Sequence, residues 1–263
     1  MHARIATVAG LLLLVPGIGL SPRLPVATAA PPERVPVVVE LFTSEGCSDC
    51  PPADTLLAQL DKLQPVKGAL VIPLEEHVDY WDQQGWRDPF SSSIFTDRQK
   101  VYANRFGSAS YTPQMVVDGK KAFVGSRSRE AVDAITAAEQ APQAAITLTV
   151  GPGKDANQVI AAVRVDSFPA GMRDKADVRL AVTEDDLSSK VGAGENAGKH
   201  LTHRATVRKL QSAGHAEPDK PFSSEVKIGL EKDWKRENLH IVVFLENRSN
   251  GQIFGAATAP LAP

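Results

Sequence analysis

Cys47 and Cys50 are the only two cysteines of this 263-residue chain, and they are spaced C-x-x-C. Two thiols one helical turn apart can close on each other, attack a partner's disulfide or share a soft metal ion. The attacking species in exchange is the thiolate, and a helix N-terminus favours it through unpaired N–H groups and the positive end of the dipole. Asp49 opposes that effect with its own negative charge, so the sign of the net shift is open at this level. Cys50 is placed to resolve a mixed disulfide formed at Cys47. Two other uses of the pair compete with exchange. A structural disulfide closing so short a loop would remove little chain entropy. A zinc site would need two further ligands, and no second cysteine pair exists.

The elements that must hold this pair are readable. Val37 to Phe42 is a buried-type strand running into the cysteine turn, and Leu56, Leu57, Leu60 and Leu63 make an amphipathic helix after it. Pro51 and Pro52 suit the first turn of that helix, whose N–H groups lack acceptors. A second apolar strand, Ala69 to Leu74, leads to Glu75-Glu76-His77 and the loop that holds Trp81, Trp86 and Asp88. His77 falls at the C-terminal end of a strand, where α/β sheets place their sites, and is the third ligand in a soft-metal reading of Cys47 and Cys50. Tyr80, Trp81 and Trp86 pack the loop or, if it folds over the cysteines, offer a partner an apolar patch. Ser91 to Phe106 reads as a helix, Gln114 to Val117 and Ala122 to Gly125 as a hairpin about Asp118-Gly119, and Ser128 to Gln140 as a helix.

After Gln140 the period changes to two. Ile146–Val150, Val159–Val165, Asp177–Val182, His203–Lys209, Ser224–Leu230 and His240–Glu246 alternate as strands, which predicts an antiparallel sandwich. Glycine-rich Gly192 to Gly198 precedes no helix, which argues against a phosphate loop. His200 and His203 would lie on opposite faces of a strand and read as structural.

Residues 1–30 have the pattern of a secretory signal: Arg4, an apolar run from Ile5 to Leu20, and Ala27-Thr28-Ala29 as a small-x-small cleavage site. The expected location is therefore periplasmic or secreted, with no stable membrane anchor once the signal is removed. The net charge of −2 gives no reason to expect a nucleic-acid partner.

Glu40 to Asp54, His77 to Asp82, Gly85 to Phe90, Tyr111-Thr112-Pro113-Gln114-Met115 and Gly194 to His203 together resemble an exported bacterial thioredoxin-like family of unknown function. The resemblance implies an α/β thioredoxin-like domain over 31–140, followed by an all-β, sandwich-like domain over 141–263. It further implies a cis peptide before Pro113, a Thr112 backbone that receives a substrate strand beside Tyr111, and a buried proton-transfer acid at Glu40. An extra residue before Cys47 makes Glu45 the competitor for that last role. The expected function is thiol–disulfide exchange with a thiol- or disulfide-containing partner, with Cys47, Cys50, Pro113, Thr112 and Glu40 as catalytic groups. Tyr111, Thr112, Trp81 and Trp86 would bind the substrate, and no cofactor beyond the redox-active disulfide is needed. The alternatives are soft-metal (copper) delivery through Cys47, Cys50 and His77, or a non-catalytic interaction module.

Overall fold

The structure is a computed structural model and describes residues 27–28 and 34–261. Of the proposed leader, only Ala27–Thr28 lies within the described residues, as a two-residue strand (β1) paired with Thr149 and Val150.

In the first half, β2 (Val35–Thr43) feeds the cysteine turn and α1 (Pro51–Leu63). Then come β3 (Ala69–His77), α2 (Ser93–Phe106), the hairpin β4 (Gln114–Val117) and β5 (Lys121–Val124), and α3 (Ser128–Ala138). The second half holds β6 (Ala145–Pro152), β7 (Gln158–Ser167), β8 (Ala176–Glu184), β9 (Leu187–Lys190), β10 (His200–His203), β11 (Thr206–Ala216), β12 (Phe222–Gly229), β13 (Leu239–Asn247) and β14 (Ile253–Pro260).

The expectation of a thioredoxin-like α/β domain followed by a separate all-β domain is overturned by how these strands pair. Eight of them form one mixed sheet in the order β14-β13-β8-β11-β3-β2-β4-β5, which draws strands from both halves of the chain. Strand makes up 43% and helix 19% of the described residues, which are mainly β. The junction is the parallel neighbour pair β3 and β11, where Thr206 sits opposite Glu75 and the Glu75 N–H donates to the Ala205 carbonyl at 3.0 Å.

Strand alternation explains why the halves do not separate. On one face, Val38, Ile72 and Leu74 from the first half pack with Phe95 of α2 and with Ala181, Val207, Val242, Phe244 and Ile253 from the second. On the other face, Val37, Val39, Leu41 and Val71 are covered by α1 and α3. The remainder of that face, including Val178, Leu180, Ile241 and Val243, is covered by the four-stranded sheet β1-β6-β7-β12. A period of two shows that a strand has an apolar face but not which segment covers it. Among the described residues no helix is long and apolar enough to cross a membrane.

Candidate functional site

The parity of β2 and β3 sorts their polar ends onto opposite faces of the sheet. Thr43, Glu75 and His77 project to the α1 side, while Glu40 and Glu76 project to the α2 side.

On the α1 side the chain leaves β2 in a tight turn, with the Cys47 N–H donating to the Ser44 carbonyl at 3.1 Å. Gly46 lets Trp81 approach closely, since a Cβ there would lie 3.1 Å from Cβ of Trp81. Cys47 and Cys50 are joined as a disulfide with their Cα atoms 5.4 Å apart. Cys50 is the N-cap of α1 and Pro51 and Pro52 fill the first helical positions, so the bridge spans the entry to the helix. Ser48 and Asp49 are exposed, but Cys47 is 2% and Cys50 0% exposed, so the sulfurs themselves are covered.

A segment from the second half of the chain lies over this turn. β9 and β10 pair as a hairpin whose glycine-rich connection, 191–199, reaches over the cysteine turn. Asn196, fully buried, donates from Nδ2 to the carbonyls of Glu45 (2.8 Å) and Cys47 (2.9 Å). Glu195 accepts from the Ser48 N–H at 2.9 Å. Trp86 packs below the same connection, within 3.0 Å of where a Cβ on Gly192 would stand.

Beside the cap is a buried polar cluster. The Glu45 carboxylate accepts from Trp86 Nε1 (2.7 Å), from the Ser189 hydroxyl and from His203 Nε2 (3.0 Å). The Asp88 carboxylate accepts from the Glu45 N–H (2.8 Å), the Phe90 N–H (2.9 Å) and His77 Nδ1 (2.7 Å). Glu75 accepts from the Thr206 hydroxyl at 2.8 Å and faces His203 Nδ1 at 3.2 Å. The Asp54 carboxylate, in the first turn of α1, accepts from Thr43 Oγ1 at 2.6 Å. Burial, reinforced by the charge of Glu75, pushes Asp54 up to about 7. Burial disfavours the charged form of His203, but Glu75 and Glu45 outweigh it and raise the imidazole to about 9. His77 is likewise raised, burial losing to Asp88 and Glu75. For Asp88, burial is outweighed by His77 and by its backbone donors, and the carboxyl lies below its ordinary range.

Glu40 is not in this site. It is buried on the α2 face, bound to Arg98 Nε and to the Tyr102 hydroxyl at 2.5 Å. Glu40, expected as the proton-transfer acid, thus lies on the face of the sheet away from Thr43, whereas its competitor Glu45 lies in the cysteine turn among several buried acids. Of the soft-metal set Cys47, Cys50 and His77, the two cysteines are joined as a disulfide. His77 is turned to Asp88, Glu75 and His203, and neither cysteine belongs to the three-ligand group found among the described residues, Glu75, His77 and His203.

The Thr112–Pro113 peptide is cis and Pro113 is buried. Trp81 ties this segment to the cysteine turn, packing on Gly46 while its Nε1 donates to Thr112 Oγ1 at 2.8 Å. The Tyr111 carbonyl accepts from Gln99 Nε2 at 2.7 Å. Trp81, Trp86, Tyr111 and Thr112 are all partly exposed, and the indole N–H groups of both tryptophans are already engaged internally.

Sequence reasoning missed Glu75, Ser189, Asn196 and His203 as parts of the site. For Glu75 the signal is the acidic pair ahead of His77 at the end of a buried strand. For Asn196 and His203 it is the polar, glycine-rich hairpin itself, which has no core of its own to bury and must lie on something else.

Residues 38–246 match the model of a family described as "Protein of unknown function (DUF1223)", and the chain belongs to that family. No curated protein matches it. Among solved structures it is similar to a protein from Agrobacterium tumefaciens at 26% identity and a TM-score of 0.66, over 88% of this chain and 96% of that one. HBP35 of Porphyromonas gingivalis is similar in fold, at 15% identity and a TM-score of 0.64, over 88% of this chain and 77% of that one.

Proposed function

We propose that this protein is an exported thiol–disulfide oxidoreductase in which the Cys47–Cys50 disulfide exchanges with a thiol-containing protein partner. The observation that carries the reading is the placement of that disulfide at the entry of α1, under a connection tied to the cysteine turn by hydrogen bonds from Asn196 and to Glu195. A bridge serving only as a brace closes too little chain to stabilise the fold much. Export is supported by the signal-like pattern of residues 1–30 and by the occurrence of disulfides in oxidising compartments.

The exchange begins with displacement of the cap. A partner thiolate then attacks Sγ of Cys47, the S–S bond breaks, and Cys50 leaves as the thiolate at the N-terminus of α1, where the helix favours negative charge. A second partner thiolate attacks the partner's sulfur in the mixed disulfide and releases Cys47 as a thiolate. The partner ends as a disulfide and this protein as a dithiol, two electrons having been transferred. Partly exposed Trp81, Tyr111 and Thr112 border the path by which the partner's chain would arrive.

The deciding measurement is the equilibrium reduction potential of the pair in defined thiol buffers, trapped by alkylation. A value between about −120 and −270 mV is expected of an exchanging pair, and one well below about −300 mV would mark a structural disulfide and end the proposal. In exchange assays, Cys47→Ser should abolish turnover while Cys50→Ser accumulates mixed disulfides.

A further inference from the structure

The buried group formed by Glu75, His77 and His203 is not needed for thiol exchange, and its geometry has a property that an ion-pair cluster does not require. The ligand-capable atoms of all three lie within 4.8 Å of one another. His77 Nδ1 is bound to Asp88 at 2.7 Å, which directs the other ring nitrogen, Nε2, into the group. That Nε2 is fully buried and makes no hydrogen bond; Glu75 Oε2, 3.6 Å away, is too far to supply one. His203 repeats the arrangement, with Nε2 against Glu45 at 3.0 Å and Nδ1 facing Glu75 at 3.2 Å.

We infer that Glu75 Oε, His77 Nε2 and His203 Nδ1 form a binding site for a divalent transition-metal ion, with Asp88 and Glu45 as the carboxylates that orient the two imidazoles. Two histidines and one carboxylate are a recurrent donor set for zinc and for ferrous iron. A carboxylate on the far nitrogen of each ligating histidine is the usual means of setting tautomer and ring direction. Phe90 stands edge-on to both rings at 5.4 Å and forms an apolar wall. Since all three residues are buried, the ion would enter as the chain folds.

The test is refolding of the full chain in the presence of zinc, followed by gel filtration and elemental analysis. One zinc per chain is expected in the wild type and equally in Cys47→Ser/Cys50→Ser, which separates this site from any use of the sulfurs. His77→Ala and His203→Ala should each lose the ion, and Asp88→Asn should weaken binding roughly 10- to 100-fold. Cobalt in place of zinc gives a readout that needs no variant of the site: weak visible d–d bands without an intense thiolate charge-transfer band are expected. Absence of retained metal in the wild type would overturn the proposal. So would retention unchanged in both histidine variants, or a thiolate band that disappears in the cysteine-free protein. Each of these outcomes leaves the thiol-exchange reading standing.

Discussion

At the residue scale, Asn196 ties the glycine-rich connection to the cysteine turn through the backbone. Its amide holds the carbonyls on both sides of Gly46, so the cap and the cysteine turn are locked by two hydrogen bonds from one group. Each such bond contributes about 1 kcal/mol net. Asn196→Ala should therefore favour the uncapped state by about 2 kcal/mol, or roughly a 30-fold rise in its population. Reduction of the Cys47–Cys50 bridge by a small dithiol, followed by alkylation trapping, should accelerate by that factor if uncapping precedes attack. An unchanged rate would mean that small thiols reach Cys47 without movement of the hairpin. Nothing in the local sequence around Cys47 announces Asn196, 149 positions away, because a side chain that caps a turn need carry no periodic pattern.

At the element scale, the hairpin of β4 and β5 shows how a turn can bind distant strands together. Asp118 (φ 45°) and Gly119 (φ 62°) both occupy the left-handed region, at the centre of a turn closed by the Lys120 N–H on the Val117 carbonyl at 2.9 Å. Gly119 is further constrained because a Cβ there would lie 2.2 Å from the Gly251 carbonyl oxygen. Asp118 accepts the Val38 N–H through Oδ1 at 2.8 Å, and its own carbonyl accepts the Ile253 N–H of β14 at 2.8 Å. Burial pushes the Asp118 carboxyl up to about 7. A carboxyl raised on folding stabilises the protein fully below its unfolded value near 4, and that stabilisation fades as pH rises towards 7. The wild type should thus lose up to about 4 kcal/mol over that window relative to Asp118→Asn, measured as the difference between their urea-unfolding free energies at each pH. A difference that does not vary with pH would show that Asp118 is ionised throughout. The turn and both strands are legible from Asp-Gly between two short apolar runs, as are β2, α1 and α3 from their periods. The pairs β9 and β10 are not, because four-residue strands carrying Ser188, Ser189, Lys190 and His200 have too few apolar positions to show a period of two. The partners of β3 were hidden for another reason: Ile72 and Leu74 announce an apolar face, and only the assembled sheet shows that β8, β11 and β13 share it.

At the scale of the whole molecule, polar links cross the seam between the two halves at both faces of the sheet. On the α1 side, Arg204 pairs with Asp61 of α1 and with Asp185 at 3.3 Å. On the α2 side, Arg98, its side chain only 9% exposed, joins Glu40 of β2 to Glu246 of β13, the latter at 3.3 Å. Glu246 is shared further with Arg105 at 3.2 Å and Arg179 at 3.3 Å, whereas Glu40 has Arg98 as its closest cation. Removing the guanidinium leaves Glu40 buried beside Glu76, whose carboxyl is already raised by burial and by the charge of Glu40. Breaking a buried pair from one side costs about 3–5 kcal/mol, more than the pair itself contributes, because the remaining charge has no water to turn to. Arg98→Met should therefore destabilise the protein by that amount, and the shift should appear in every part of the chain at once. Trp81 and Trp86 report on the first half and Trp234 on the second. With single-tryptophan variants, urea unfolding should give coincident transitions in the wild type, and these should move together in Arg98→Met. If the Trp234 transition instead stayed in place while that of Trp81 moved, the shared core of Val38, Ile72, Val242 and Phe244 would not be what makes the molecule cooperative, and the halves would unfold as separate units despite their common sheet.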